Sequence, residues 1–290
     1  MSAPLVLKAP AKINLTLEVL ARRQDGYHEV RMLMAGVSLA DELSFEPASR
    51  LSLACDRPEL DCSESNLVLR AARALQKALG RSDGAAIRLK KRIPLGGGLA
   101  GGSTDAAATL KGLNQLWSAG LGPEALARIA ATIGSDIPFC LESGWALAMG
   151  RGEKLKPLSL RRKLHFVLVN PGFEVSTKWA YSSLLNLKAS KRNLSRLAFE
   201  AVLAADMPAL HLTAINDLER VTAGRYPEIG QLEQMLLDQG ALLSRMSGSG
   251  PTVWGLFKDA TASKKACQTI KKKGILVVAV HTISRLSDLD

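Results

Sequence analysis

The stretch that most restricts how this chain can fold is Pro94-Leu95-Gly96-Gly97-Gly98-Leu99-Ala100-Gly101-Gly102-Ser103-Thr104-Asp105-Ala106. Five glycines lie between Gly96 and Gly102. Ile87-Arg88-Leu89-Lys90 before them alternates apolar and basic residues and reads as a strand; Ala106 to Leu116 after them reads as a helix. A glycine loop that opens a helix is a device for holding phosphate. Glycine lets the backbone take positive φ and approach a ligand closely, and the first-turn N–H groups have no intrahelical acceptor. Together with the helix dipole they form an anion site. Ser103 or Thr104 can cap the helix or bond a phosphate oxygen. Gly96, Gly98 and Gly101 fit G-x-G-x-x-G, which leaves a dinucleotide site open, although Gly122-Pro123-Glu124 reads as a helix start rather than the acidic strand end that such a site needs. The loop lacks the Gly-Lys-Ser/Thr ending of a Walker A motif. The HRD and DFG elements of protein kinases are absent from the sequence.

With 290 residues, 47% of them hydrophobic, the chain can bury a sizeable core and is expected to form two domains. No apolar run reaches membrane-spanning length. Met1-Ser2-Ala3-Pro4 leads almost at once into strand-like sequence, without signal or transit features, so a cytoplasmic protein is expected. Cys55, Cys62, Cys140 and Cys267, like His28, His165, His211 and His281, are dispersed, which argues against a structural zinc or a disulfide framework. The net charge of +11 suits anionic partners. Part of it is one C-terminal helical stretch with Lys264, Lys265, Lys271, Lys272 and Lys273, read as a solvated face. With three Tyr and six Phe, the chain lacks material for a stacking platform, and no nucleic-acid partner is expected.

Three other places carry candidate chemistry. Ile13 to Leu17 alternates as a strand does, which puts Lys12 and Asn14 on one face; the lysine can act as a point charge on phosphate and the asparagine as a donor. Asp25-Gly26 is a turn signal between strands and places Tyr27 and His28 at the start of the next one. Those two rings can stack on a base and bond its edge, or merely begin a hairpin. Asp136, in Gly134-Ser135-Asp136-Ile137-Pro138-Phe139, can accept a proton or steady a lysine, or else cap a short helix.

Between these places the pattern predicts strands over 32–39, 41–45 and 51–54, and a helix from Asn66 to Leu79 capped by Ser65 and ended by Gly80. A helix from Pro123 to about Ile133 and a strand over 145–149 follow, then a turn at Gly150-Arg151-Gly152-Glu153 and a basic connector over 154–163. The domain boundary is set there, giving 1–156 and 157–290. The second half reads as a strand over 165–169, a helix from Ser176-Thr177 carrying Trp179 and Tyr181, and a helical stretch over 193–207. Helices from Asn216 and from Pro227 come next, then strand, glycine loop and strand over 242–257, a lysine-rich helix and a final strand over 275–280.

Three segments, in this order, resemble the motifs of the GHMP kinases: Ala9-Pro10-Ala11-Lys12-Ile13-Asn14-Leu15, the loop from Pro94 to Ala106, and Met246-Ser247-Gly248-Ser249-Gly250-Pro251-Thr252. The resemblance spans most of the chain. It implies an α+β fold of two domains with the active site in the cleft between them. Asp25-Gly26-Tyr27-His28, the full glycine loop and the segment around Asp136 resemble the branch that acts on a cytidine-diphosphate-linked alcohol in the non-mevalonate isoprenoid route. The resemblance implies transfer of the ATP γ-phosphoryl to a hydroxyl, with Mg²⁺, by the catalytic pair Lys12 and Asp136. It implies substrate contacts from Asn14, Tyr27, His28 and Tyr181, with Trp179 as the rival of Tyr181. It gives ATP to Pro94, Leu95, Gly96, Gly97, Gly98, Leu99, Ala100, Gly101, Gly102, Ser103 and Thr104, and it designates no metal ligands. The alternatives are a GHMP kinase of the homoserine or mevalonate type, whose acceptors bring no base for Tyr27 and His28 to hold, and a dinucleotide-dependent oxidoreductase.

Overall fold

A computed structural model describes residues 3–184, 193–270 and 274–289, so Lys271, Lys272 and Lys273 of the expected lysine-rich helix lie outside the described residues. Two long strands dominate the first half. β1 (Leu5–Arg22) and β2 (His28–Ala48) pair antiparallel from Leu5↔Phe45 to Arg22↔His28, joined through the Asp25-Gly26 turn. The expected break at 40 does not exist. Asp41, read as a boundary between two strands, sits inside β2 as a fully buried carboxylate. Register shifts between Pro10 and Lys12, Asn14 and Thr16, and Val19 and Ala21 let so long a pair curve.

β3 (Ser52–Cys55), α1 (Leu67–Leu79) and β4 (Gly84–Lys90) follow. The cap of α1 is Asn66, whose side chain accepts from Val68 N; Ser65 instead bonds Asp61, so the expected Ser65 cap is one residue early. α2 (Gly101–Leu116) begins five residues before the expected Ala106. Its cap is Ala100, at φ +58°, and neither Ser103 nor Thr104 caps it. A left-handed alanine here costs on the order of 1 kcal/mol, which the loop packing must offset. α3 (Pro123–Ile133) and α4 (Ile137–Glu142) lead to β5 (Trp145–Gly150) and β6 (Lys154–Leu158). The expected basic connector is thus a strand in its first half, hydrogen-bonded to β5. These strands form one sheet in the order β3-β4-β2-β5-β6, with β1 also on β2.

The second half builds β7 (His165–Asn170), α5 (Thr177–Ser182), α6 (Leu194–Ala204) and α7 (Met207–Thr213). The helical stretch expected over 193–207 is broken because Ala205 turns left-handed and Asp206 caps α7 by accepting from Ala209 N. α8 (Asp217–Arg225), α9 (Glu228–Asp238), β8 (Leu243–Met246), β9 (Val253–Phe257), α10 (Ala260–Thr269) and β10 (Leu276–His281) complete it. The second sheet has the order β10-β7-β9-β8 and is antiparallel throughout. A turn of 3-10 helix at Leu286–Leu289 ends the description.

Two apolar cores result. One packs Phe45, Leu75, Leu110 and Leu113 between the first sheet and its helices. The other joins the two halves: Ile13, Leu15 and Leu33 meet Phe166, Leu168 and Trp254. Each such fully buried side chain contributes roughly 1.5–3 kcal/mol of transfer free energy. Trp254 also donates its indole N–H to the Asn14 carbonyl at 3.0 Å, so the second sheet is fastened to β1 beside Lys12. No helix among the described residues is long and apolar enough to cross a membrane.

Candidate active site

The two glycine motifs meet over β1. The Lys12 backbone N–H donates to the Leu99 carbonyl at 3.1 Å. The Ser247 hydroxyl donates to the Gly98 carbonyl at 3.0 Å and accepts from the Asn14 N–H at 3.2 Å. Thr252 N–H reaches the Gly97 carbonyl at 3.4 Å. The carbonyls of the loop are therefore held by protein, while the N–H groups of residues 98–103 find no acceptor among the described residues. That row of free donors at the start of a helix is the anion site anticipated from the sequence. Gly98 has φ +74°, and a Cβ there would overlap the Ser247 carbonyl oxygen, so the crossing of the two motifs requires glycine. Asn216 holds the other motif from behind, donating to the Met246 and Gly248 carbonyls at 2.9 and 2.8 Å.

Beside this row of donors stands Lys12. Its side chain is 6% exposed, and its ammonium donates to Asn14 Oδ1 and lies 3.7 Å from Asp136 Oδ2. Asp136 occupies the cap position of α4 but its own side chain makes no capping bond, so the carboxylate is left facing the lysine. At 32% exposure it remains open to the cleft. Asn14 further donates to Met32 Sδ at 3.3 Å, which fixes its amide. The structure brings Lys12, Asn14 and Asp136 together as one group.

Tyr27 and His28 lie where the hairpin re-enters the sheet. Tyr27 is 54% exposed, and the Arg151 guanidinium lies 4.9 Å from its ring centre. His28 stacks on Tyr181, ring centroids 5.2 Å apart and planes 26° from parallel. Burial and the nearby Arg22 charge hold the His28 imidazole below its ordinary pKa, which favours the neutral ring. Tyr181 is pushed up by burial and by Asp136 and Asp217, so its phenol stays protonated and can donate. Trp179 takes a different place, against Tyr226 at 5.9 Å and under the Arg225 guanidinium at 4.6 Å. The geometry thus favours Tyr181 over Trp179 as the partner of His28. The turn at 150–153 spans the distance to the lysine pair: a Cβ at Gly152 would lie 3.7 Å from Asp136 Oδ1.

The sequence reading missed a second lysine. Lys91, 2% exposed, donates to Asp41 Oδ2 and, at 2.8 Å, to Asp105 Oδ2. The only local signal is a lone acidic residue after an apolar run, Leu39-Ala40-Asp41, where the pattern reads as a new strand beginning at Asp41. No three His, Cys, Asp or Glu side chains among the described residues come together to hold a metal. Asp105 and Asp136 face lysines, and Glu174 packs against the loop, its side chain 2.7–2.9 Å from where a Cβ at Gly96 would stand. The dinucleotide alternative also fails on topology, because the strand before the loop lies antiparallel to β2 in a mixed sheet rather than in a parallel doubly wound one.

Comparison with known proteins bears on the same residues. Residues 66–144 match the model of the GHMP kinases N terminal domain and residues 198–276 that of the GHMP kinases C terminal domain. A 4-diphosphocytidyl-2-C-methyl-D-erythritol kinase of Caldanaerobacter subterraneus subsp. tengcongensis is 41% identical over 279 residues, covering 96% of this chain and 97% of the relative. One of Gloeobacter violaceus is 42% identical, covering 91% and 89%. A crystal structure of 4-(cytidine 5'-diphospho)-2C-methyl-D-erythritol kinase superposes with a TM-score of 0.81 at 34% identity, covering 95% of this chain and 99% of that one. A homoserine kinase from Cytophaga hutchinsonii shares the fold, with a TM-score of 0.77 at 21% identity over 99% of this chain and 96% of that one.

Proposed function

The chain belongs to the GHMP kinases, in the branch of the 4-diphosphocytidyl-2-C-methyl-D-erythritol kinases, and from that membership we propose how its residues share the work of an ATP-dependent small-molecule kinase. The acceptor is the 2-hydroxyl of the methylerythritol unit of 4-diphosphocytidyl-2-C-methyl-D-erythritol, in the supply of isoprenoid precursors. In phosphoryl transfer a protein mainly positions the reactants and stabilises charge. The free N–H groups of residues 98–103 take the triphosphate end of ATP. Pro94 to Thr104 form the whole of that cradle. Lys12 supplies the charge that lowers the cost of the transferring phosphoryl group. Asp136 orients the acceptor hydroxyl and takes its proton. Mg²⁺ would enter with the nucleotide as MgATP and would supply neutralisation of the phosphate charge.

At the other end of the cleft, Tyr27, His28 and Tyr181 hold the cytosine. A neutral His28 can donate from one nitrogen and accept at the other, which suits the edge of a base. Asn14, fixed by Lys12 and Met32, contacts the alcohol beside the reacting hydroxyl. The substrates fit a cytoplasmic enzyme. We set the domain boundary in the passage between the sheets, 159–164, a little beyond 156, because Pro157 and Leu158 still pair with β5.

One observation carries this reading. Lys12 is bonded through its backbone to the phosphate loop and faces Asp136 at 3.7 Å with its ammonium, so nucleotide and acceptor meet at a single residue. The test is ATP-dependent phosphorylation of 4-diphosphocytidyl-2-C-methyl-D-erythritol, mevalonate and homoserine side by side. Turnover of the cytidine-linked alcohol alone is expected. Equal or better turnover of either base-free acceptor would overturn the substrate reading.

A further inference from the structure

The buried lysine behind the loop carries an inference that rests on the ATP reading above. Lys91 stands at the end of β4, just before the loop, and Asp105 stands one turn into α2, just after it. Lys91 bonds Asp105 Oδ2 at 2.8 Å and Asp41 Oδ2. The other oxygen of Asp41 accepts the N–H groups of Arg92 and Ile93 at 2.5 and 2.8 Å, the two residues that lead into Pro94. One ammonium therefore ties the strand side of the loop to its helix side. A Cβ at Gly101 would lie 3.2 Å from Lys91 Nζ, so the charge sits against the first turn of α2. Asp105 Oδ1 is buried and has no donor.

We propose that the Asp41–Lys91–Asp105 cluster is the positioning element that holds the phosphate loop in its ATP-binding shape, and that ionisation of Asp105 sets an alkaline limit on nucleotide affinity. Burial pushes the Asp105 carboxyl up to about 8, with Asp41 beside it adding to the rise and Lys91 opposing it. With Asp105 protonated, the cluster is one ammonium against one carboxylate. Once Asp105 ionises, an extra negative charge lies in a low-dielectric site one turn from the triphosphate, and like charges there repel strongly. Other charged groups lie around the loop: Glu174 packs at Gly96, its side chain 2.7 Å from where a Cβ there would stand. Asp56 accepts the Lys91 backbone N–H at 2.9 Å and is exposed, its carboxyl held low by that bond. Cys140 on α4 is buried, its thiol pushed up and neutral. Lys12 and Asp136 lie across the loop. α1 faces α2 with Val68, Ala71, Ala72 and Leu75, which carry no charge.

The test is calorimetric binding of the non-hydrolysable analogue MgAMP-PNP, with no acceptor present, between pH 7 and 9.5. The wild-type Kd is expected to weaken about tenfold over that range, the effect of roughly one pKa unit of coupling, while that of Asp105→Asn stays within about twofold. In steady state, Lys91→Met should raise KM for ATP at every pH by at least about tenfold and leave KM for the alcohol within about threefold, a split that general loosening would not produce. Parallel pH profiles in wild type and Asp105→Asn would overturn the proposal. So would a Lys91→Met protein that loses kcat while keeping its nucleotide Kd. Should Lys91→Met fail to fold by circular dichroism, the Asp105→Asn profile decides alone. If the wild type binds no MgAMP-PNP at any pH, the ATP reading itself has failed rather than this extension of it.

Discussion

Two lysine–aspartate sites flank the same loop and serve opposite ends. Lys12 faces Asp136 at 3.7 Å, and the aspartate is 32% exposed to the cleft. Lys91 is clamped between Asp41 and Asp105, with every member at 3% exposure or less. The residue types are alike; burial and contact length differ. A loose, half-open pair can exchange its partner for a phosphoryl oxygen or a hydroxyl proton, which is what a reaction needs. A sealed pair cannot, and its charges serve to hold backbone. Removing one partner of a sealed pair leaves an uncompensated charge in low dielectric, whereas the open pair has solvent and substrate as alternatives.

The contrast can be broken by mutation, and the largest expected effect falls on the sealed side. Lys91→Met should cost about 3–5 kcal/mol of unfolding free energy, because the buried Asp41–Asp105 pair loses its cation; urea denaturation measures it, and a loss under about 1 kcal/mol would place the cluster in solvent. On the open side, Lys12→Met should lower kcat by about a hundredfold to a thousandfold, the scale for one preorganised charge at a transition state. A purely architectural Lys12 would instead show normal kcat in whatever protein folds. Tyr27→Ala should raise KM for the cytidine-linked alcohol by about tenfold, as loss of one aromatic face allows, with KM for ATP little changed. Equal changes in both would remove Tyr27 from the cytosine end.

The smallest effect concerns pH and stability. The Asp105 carboxyl is raised in the folded chain, so its contribution to stability is fully present below the ordinary carboxylate pKa and is lost as pH climbs towards about 8. Thermal unfolding followed from pH 4 to 8 should show a decline that is shallower in Asp105→Asn. An identical slope in both proteins would mean that Asp105 is ionised throughout.

What sequence reading captured and what it missed divides along the same line. The open pair was legible: Lys12 sits in an alternating strand beside Asn14, and Asp136 precedes a proline in a turn-rich segment. Each signal is local, within a few residues. The sealed cluster was not, because Asp41 and Lys91 are 50 residues apart in the chain and meet only through the pairing of β2 with β4. Read locally, the runs on either side of Ala40 look like two strands, and so β2 reads as 32–39 and 41–45 with Asp41 opening the second. The same limit put the start of α2 at Ala106. Helix propensity disfavours Gly101 and Gly102, yet α2 includes them, and Gly101 lies so close to the Lys91 ammonium that a side chain there would be crowded. The aromatic end was half legible: Tyr27 and His28 followed from the Asp25-Gly26 turn, but only the ring stacking separates Tyr181 from Trp179.

The most direct test of the division of labour uses Asp136→Asn, which keeps the shape of the open pair and removes its carboxylate. Calorimetry with MgAMP-PNP and rapid-quench single turnover with ATP and 4-diphosphocytidyl-2-C-methyl-D-erythritol would be run on the same preparation. The expected result is a nucleotide Kd within about threefold of wild type and a phosphoryl-transfer rate lowered at least about a hundredfold, the scale of general-base catalysis. A transfer rate near that of the wild type, or a rate loss matched by an equal loss of nucleotide binding, would contradict the account.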